Sequence, residues 1–178
     1  MSQKLLFIFN PHSGKGQIKN NLVDIVDTMV KADFEVTIYT TQARADATRK
    51  VIEEADKYDR IVCSGGDGTL DEVVTGLIKS GADTPIGYIP AGSTNDFANS
   101  LGIPKEMVKA AQVAVADHPF PCDIGDFNSD TFVYVAAFGL FTEVSYKTSQ
   151  QLKNIFGHVA YIMEGAKYLH DIPSYNMQ

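Results

Sequence analysis

The residues that most clearly suggest a chemical function lie in a glycine-rich stretch that follows the short apolar run 61–63. This stretch contains Gly65, Gly66, Asp67 and Gly68, and apolar residues recur at helical spacing after it. The pattern predicts a strand, a tight loop and a helix. The first free N–H groups of such a helix, together with the positive end of its dipole, bind anions, and phosphate is the usual one.

Asp67 changes the kind of anion that this loop is expected to bind. A carboxylate repels bare phosphate unless a divalent cation such as Mg²⁺ lies between them. The loop therefore predicts a site for a metal–nucleotide complex. The structural alternative is that Asp67 merely caps the helix it precedes, since glycine-rich turns between strands and helices are common in α/β proteins.

The apolar run 5–9 predicts the first strand, which ends in a second loop of this kind. The glycine spacing of this loop matches neither the Walker A motif nor the dinucleotide fingerprint. Asn10, Ser13 and Lys15 could still offer phosphates an amide, a hydroxyl and a cation, although Lys15 could equally be a solvated loop charge. In order, the loop residues are Asn10, Pro11, His12, Ser13, Gly14, Lys15 and Gly16.

Two more strands are predicted at 34–41 and 85–89, and a helical pattern follows each of them, the first at 43–55. The earlier one ends at Thr41, and the later one ends in the polar stretch 90–98. Together with the strands at 5–9 and 61–63, they predict an open parallel sheet. Loops rich in Gly, Ser, Thr, Asn and Asp at all four carboxyl ends are where such sheets bind ligands.

Three further polar residues have a structural and a functional interpretation. Asn95 is interpreted first as the N-cap of a short helix, and Asp96 lies in the first turn of that helix, where it could also reach the site. Asp123 lies close to a glycine in a proline-containing stretch. It is either a turn residue or a third carboxylate of the site.

Composition narrows the class of protein. The chain has 178 residues, a net charge of −7 and no basic run, which argues against a nucleic-acid groove built on phosphate neutralisation. No apolar run is long enough for a signal peptide or a membrane-spanning helix. The two cysteines, Cys63 and Cys122, lack the spacing of a metal site and suit a reducing compartment. We therefore expect a cytoplasmic protein without a transmembrane segment.

The pattern changes after Pro119, where two strands joined by a turn at 128–130 are predicted, followed by helices at 139–150 and 156–170. This change predicts a nucleotide-binding domain at 1–126 and the incomplete beginning of a second, β-rich domain at 127–178. Apolar residues that the rest of the second domain would cover favour self-association, so a homodimer is expected.

Taken together, the loops resemble the diacylglycerol kinase catalytic family, in particular its soluble bacterial lipid kinases, which are similar in this region to sphingosine kinases. The resemblance rests on three ordered motifs, at 10–16, 65–73 and 90–98. One departure is Ser93, where the family usually has Thr. The larger departure is length, because the resemblance implies a second domain with a late catalytic Glu, and the chain therefore looks truncated.

The resemblance implies a fold and an activity. The fold is a three-layer α/β/α domain with a parallel sheet, like that of NAD kinases and phosphofructokinases. The activity is transfer of the ATP γ-phosphoryl group to a lipid hydroxyl at a membrane surface, most simply from ATP to diacylglycerol to give phosphatidic acid. Two alternatives stay open: a kinase of a soluble substrate such as NAD, and a nucleotide-binding module without catalysis of its own.

The resemblance also implies roles for individual residues. Mg²⁺ is assigned to Asp67 and Asp96, and the phosphoryl-transfer centre to these two residues and Asp123. The residues assigned to ATP are Asn10, Pro11, His12, Ser13, Gly14, Lys15, Thr41, Gly65, Gly66, Asp67, Gly68, Thr69, Leu70, Asp71, Ser93 and Asn95.

Overall fold

A four-stranded parallel sheet forms the centre of the computed structural model, which describes residues 2–127 and 130–134. The strands are β1 Gln3–Phe9, β2 Phe34–Thr40, β3 Arg60–Gly65 and β4 Ile86–Pro90. They run in the order β2-β1-β3-β4. Most residues of β1, β3 and β4 are buried, as expected for strands covered on both faces, whereas β2 alternates apolar and polar residues at the edge of the sheet.

Helices cover both faces of this sheet. They are α1 Ile18–Lys31, α2 Asp46–Glu54, α3 Asp67–Ser80, α4 Asp96–Ser100 and α5 Met107–Val115, and one 3₁₀ turn spans Ala55–Lys57. Alternate residues of β1 show the two faces: Leu5 and Phe7 pack with α1 and α5, whereas Leu6 and Ile8 pack with α2 and α3. The predicted three-layer α/β/α fold is thereby confirmed.

The start of α2 differs from the sequence-based prediction. Apolar periodicity placed the start of this helix at residue 43, but α2 begins at Asp46. The Asp46 carboxylate accepts hydrogen bonds from the backbone N–H groups of Gln42 at 2.7 Å and Ala43 at 3.1 Å. Ala45 adopts φ +64°, outside the helical region. These local bonds compete with helix formation and delay its start by one turn.

A short antiparallel hairpin follows the helices, with β5 at Gly125–Phe127 and β6 at Asp130–Phe132. It belongs to a compact unit that extends over Met1–Tyr134. The assignment of 127–178 to a second domain stays a prediction, and the helices predicted at 139–150 and 156–170 lie outside the described residues. In the part that the structure describes, no helix is both long and apolar enough to cross a bilayer.

Candidate active site

The direction in which successive strands are added to the sheet reverses between β1 and β3. From β1 it moves outward to β2 and then returns to form β3 on the other side of β1. Loops that follow the two strands at such a switch point diverge and leave a crevice, which is the usual ligand site of an open α/β sheet. The predicted loops at 10–16 and 65–66 follow these two strands.

Backbone hydrogen bonds hold the carboxyl ends of the strands in register. The ladder continues one residue past the end of three strands, and its bonds are Thr41 N to Phe9 O at 3.0 Å, Asn10 N to Ser64 O at 3.0 Å and Ala91 N to Gly65 O at 2.7 Å. The four predicted loops therefore begin at one edge of the sheet, as the sequence indicated.

The loop at 10–16 is folded on itself and lies against the loop after β4. Asn10 Oδ1 accepts the N–H of His12 at 2.9 Å, and the Asn10 carbonyl accepts that of Ser13 at 3.2 Å. Gly14 has φ +53°, and a Cβ added there would lie 2.4 Å from the Ala91 carbonyl oxygen. Only glycine allows this approach. Ser13 is buried, whereas Lys15 is exposed.

The loop after β4 also touches the central glycine loop. A Cβ added at Gly92 would lie 2.6 Å from Gly66 Cα. Asn95 closes this loop, because its Oδ1 accepts the Gly92 N–H at 2.7 Å and its Nδ2 donates to the Gly92 carbonyl at 3.0 Å. Asn95 occupies the N-cap position of α4, yet its side chain makes no capping hydrogen bond. The interpretation of its amide as a helix cap is therefore wrong.

Asp67 supplies the cap of α4 instead. Its Oδ2 accepts the Asp96 N–H at 3.1 Å, and its Oδ1 accepts the Phe97 N–H at 3.3 Å. The expected structural alternative had Asp67 capping its own helix, but the N-cap of α3 is Gly66 and carries no side-chain bond. Asp67 therefore joins the glycine loop to the loop after β4.

Gly65 and Gly68 of the central loop are glycine for different structural reasons. A Cβ at Gly65 would lie 2.3 Å from Thr69 Oγ1, so packing within the protein requires glycine there. Around Gly68, by contrast, no described atom lies within 4 Å of an added Cβ, and the residue is exposed. Glycine in a helix costs about 1 kcal/mol relative to alanine. What Gly68 provides is open space beside the N-terminus of α3.

Two ionisable groups beneath the loop have shifted pKa values. Burial raises the pKa of the Asp71 carboxyl, the nearby charge of Asp67 raises it further, and a hydrogen bond from the Val133 N–H at 3.1 Å opposes the shift. Burial also raises the pKa of Tyr88, whose hydroxyl donates to the Gly65 carbonyl at 3.1 Å. Tyr88 therefore stays protonated, and its hydrogen bond to the Gly65 carbonyl stabilises the loop.

The sequence pattern does not assign Ser64 to the candidate site, because a serine at this position is typical of the polar end of a strand. Ser64 is 1% exposed, and its hydroxyl has no hydrogen-bond partner among the described residues. Thr41 is buried as well, and its hydroxyl makes a long bond of 3.4 Å to the Phe9 carbonyl. Both hydroxyls lie where the strands end.

The predicted metal site depends on the acidic residues of these loops. Among residues 2–127 and 130–134, no group of three His, Cys, Asp or Glu side chains could hold a metal ion. Mg²⁺ in nucleotide sites is usually held by one or two carboxylates together with phosphate oxygens and water. Asp67 and Asp96 suit that arrangement: each Asp67 oxygen accepts one N–H and keeps a lone pair, and Asp96 is exposed.

Asp123 is exposed on the segment between α5 and β5. The hydrogen bond found there involves its backbone carbonyl, which accepts from Cys122 Sγ at 3.3 Å. Its role as a third carboxylate of the site stays a prediction.

Comparison with known proteins agrees with this geometry. The family model for the diacylglycerol kinase catalytic domain matches residues 4–127. The chain belongs to the diacylglycerol kinase catalytic domain family. The three motifs at 10–16, 65–73 and 90–98 all lie within the matched range, so the predicted resemblance is confirmed.

Curated members of this family cover the chain almost completely. It is 40% identical over 172 residues to a diacylglycerol kinase of Staphylococcus carnosus, a match that covers 95% of this chain and 56% of that protein. It is 37% identical over 180 residues to one of Staphylococcus aureus strain MRSA252, covering 100% and 57%. The chain therefore spans little more than half the length of these relatives.

The fold is similar to that of a solved family member. A crystal structure of a diacylglycerol kinase from Bacillus anthracis strain Sterne matches with a TM-score of 0.67 and 36% identity, covering 74% of this chain and 50% of that one.

Proposed function

We propose that this chain is the nucleotide-binding part of an ATP-dependent lipid kinase. The reaction is transfer of the ATP γ-phosphoryl group to a lipid hydroxyl, most simply that of diacylglycerol, which gives phosphatidic acid. The observation that carries the proposal is the mutual contact of the loops at 10–16, 65–66 and 91–95 at the switch point of a parallel sheet. Membership of the diacylglycerol kinase catalytic domain family supports it.

In this proposal, backbone N–H groups near the N-terminus of α3 donate hydrogen bonds to phosphate oxygens beside Gly68, where the protein leaves space. Asn10, Ser13, Lys15 and Thr41 contribute polar groups from the neighbouring strands. Phosphoryl transfer depends on positioning and on neutralising the charge that spreads over the phosphoryl oxygens, and loops held by such contacts suit that requirement.

Asp67 and Asp96 are proposed to hold Mg²⁺ with the nucleotide. When bound, the ion neutralises phosphate charge. The bonds from the N–H groups of Asp96 and Phe97 to Asp67 fix the carboxylate before any ligand arrives, so little reorganisation is needed on binding. Asp123 is proposed as a further acidic contributor.

The acceptor is proposed to be a lipid. We further propose that the protein is cytoplasmic, that it reaches the lipid through peripheral contact with a membrane, and that it forms a homodimer.

A screen of acceptors with radiolabelled Mg-ATP, made with a chain extended to the length of its relatives, tests the substrate class. Label in short-chain diacylglycerol supports the proposal. Label in a soluble acceptor such as NAD, with none in lipid, would contradict it.

Replacement of Gly68 separates ligand binding from folding. Gly68→Ala is expected to raise the free energy of unfolding by about 0.5–1 kcal/mol, because alanine favours the helix and meets no described atom. The same Cβ occupies the space proposed for phosphate, so affinity for Mg-ATP is expected to fall. Urea unfolding and calorimetric titration measure the two effects. Unchanged affinity in the more stable variant would show that no ligand approaches this position closely.

Ser93 tests whether a hydroxyl in the loop after β4 binds the nucleotide. Ser93 is exposed, and the family usually has Thr here. Ser93→Ala is expected to weaken Mg-ATP binding by about 0.5–3 kcal/mol through the loss of one hydrogen bond to phosphate. Ser93→Thr keeps the hydroxyl and is expected to bind like wild type. Calorimetry compares the three proteins, and equal affinities of wild type and Ser93→Ala would make Ser93 a turn residue only.

A further inference from the structure

Helix α3 carries three acidic residues whose carboxylates bind three different parts of the chain. Asp67 accepts N–H groups of α4, and Asp71 accepts the N–H of Val133, next to β6. Glu72, which was not assigned to the site from the sequence, accepts N–H groups at the start of α2. One helix thus organises the segments around the candidate site.

Glu72 uses both of its carboxylate oxygens in these contacts. Oε1 accepts the Ala45 N–H at 2.9 Å, and Oε2 accepts the Ala47 N–H at 3.3 Å. An ionised carboxylate suits both the two donors and the positive end of the α2 dipole. A glutamine would offer one acceptor oxygen and would turn an NH₂ group towards the other donor.

The backbones of α2 and α3 approach closely beside this contact. Thr48 Oγ1 donates to the Glu72 carbonyl at 2.8 Å. One turn further along α3, a Cβ added at Gly76 would lie 2.7 Å from Val51 Cβ. The start of α2 is therefore fixed relative to α3, which begins at the central glycine loop.

The loop at 41–45 is held from both ends. Asp46 accepts the N–H groups of Gln42 and Ala43, and it also receives a hydrogen bond from Arg49. Ala45 has φ +64°, a left-handed conformation that is unfavourable for a residue with a Cβ. The bond from the Ala45 N–H to Glu72 compensates for that conformation. At the other end, Thr41 is bonded to the last residue of β1.

We propose that Glu72 is a positioning residue for the nucleotide site. It holds the loop at 41–45 against α3, so that Thr41 and the central glycine loop keep a constant separation. The inference rests on the proposed Mg-ATP site. Because Glu72 binds backbone groups of this loop, its removal affects nucleotide affinity through the position of Thr41 and not through direct contact.

The test compares Glu72→Gln with two control variants of the same chain. Glu53→Gln makes the same change at an exposed residue of α2. Thr48→Val keeps the side-chain shape and removes the neighbouring bond between α2 and α3, without touching the N–H groups of Ala45 and Ala47. Backbone hydrogen exchange at 42–47 is measured without ligand, and Mg-ATP affinity is measured by calorimetry.

We expect faster exchange at Ala45 and Ala47 and at least about tenfold weaker Mg-ATP binding in Glu72→Gln alone. If Glu72→Gln exchanged these two N–H groups at the wild-type rate, the proposal would be overturned. It would also be overturned if Glu72→Gln lost no more Mg-ATP affinity than a Thr48→Val variant that loses the same stability. If wild type does not bind Mg-ATP, the proposed function fails, while the exchange data still decide whether Glu72 holds the loop. Ala45→Gly removes the left-handed Cβ and provides a more stable background if Glu72→Gln alone does not fold.

Discussion

The 178-residue chain is expected to show no measurable phosphorylation of diacylglycerol, whereas a chain extended to the length of its relatives is expected to turn over. Phosphoryl transfer needs the acceptor hydroxyl held in line and its proton accepted by a positioned group. After Asp123 the sequence contains two glutamates, Glu143 and Glu164, and the sequence pattern predicts helical surface positions for both. A lipid acceptor also needs an apolar pocket, which usually forms where domains meet.

The assay uses short-chain diacylglycerol in detergent with Mg-ATP, and both chains are measured at equal concentration. Calorimetric binding of Mg-ATP by the short chain is the control that its site is folded. Robust turnover by the short chain would mean that the base and the lipid pocket lie within these residues. Binding without turnover is the expected result.

Asp67→Asn, made in the extended chain, is expected to lower kcat by about 10²–10³-fold. In the proposed site, this carboxylate supplies charge to the phosphoryl-transfer centre, and such charge acts mainly in the transition state. A smaller loss of stability, about 1 kcal/mol, is also expected. The carboxylate accepts two backbone N–H groups of α4, and an amide can accept only one of them well.

Asp59→Asn is the matched control for this substitution. Asp59 Oδ2 accepts the N–H of Lys4 at 2.7 Å, so the variant also disturbs a carboxylate that binds a backbone N–H. Asp59 precedes β3 and therefore lies at the amino edge of the sheet, away from the candidate site. We expect wild-type kcat and a smaller change in the urea midpoint than in Asp67→Asn, because the asparagine amide oxygen can still accept this single N–H. If Asp67→Asn lost no more activity than this control, Asp67 would be a structural residue only.

The strands, and the carboxyl edge of the sheet where the candidate site lies, could be predicted because local sequence carries the necessary information. A parallel strand buried on both faces is a continuous apolar run, as at Leu5 to Phe9, and a parallel sheet gathers the carboxyl ends of its strands at one edge. Glycine at 65, 66 and 68 likewise identifies a turn that a ligand or a backbone can approach closely. The family resemblance rests on the same local motifs.

Partners of individual side chains could not be predicted, because no local period records them. Asp67 bonds to residue 96, 29 positions away, Glu72 to residue 45, 27 positions away, and Asp71 to residue 133, 62 positions away. The sequence interpretation instead assigned capping of α4 to Asn95, the nearest suitable side chain. The folded chain uses that amide to close its own loop, because Gly92 is brought within 2.7 Å of it.

The sequence alone therefore determined a parallel α/β sheet with glycine-rich, polar loops at its carboxyl edge, since burial and backbone conformation act over neighbouring residues. The tertiary structure decided the strand order β2-β1-β3-β4, which places the switch point between β1 and β3. It also decided that the acidic residues of α3 bind the N–H groups of surrounding segments. These contacts join residues distant in sequence, and they exist only once helices and sheet have packed together.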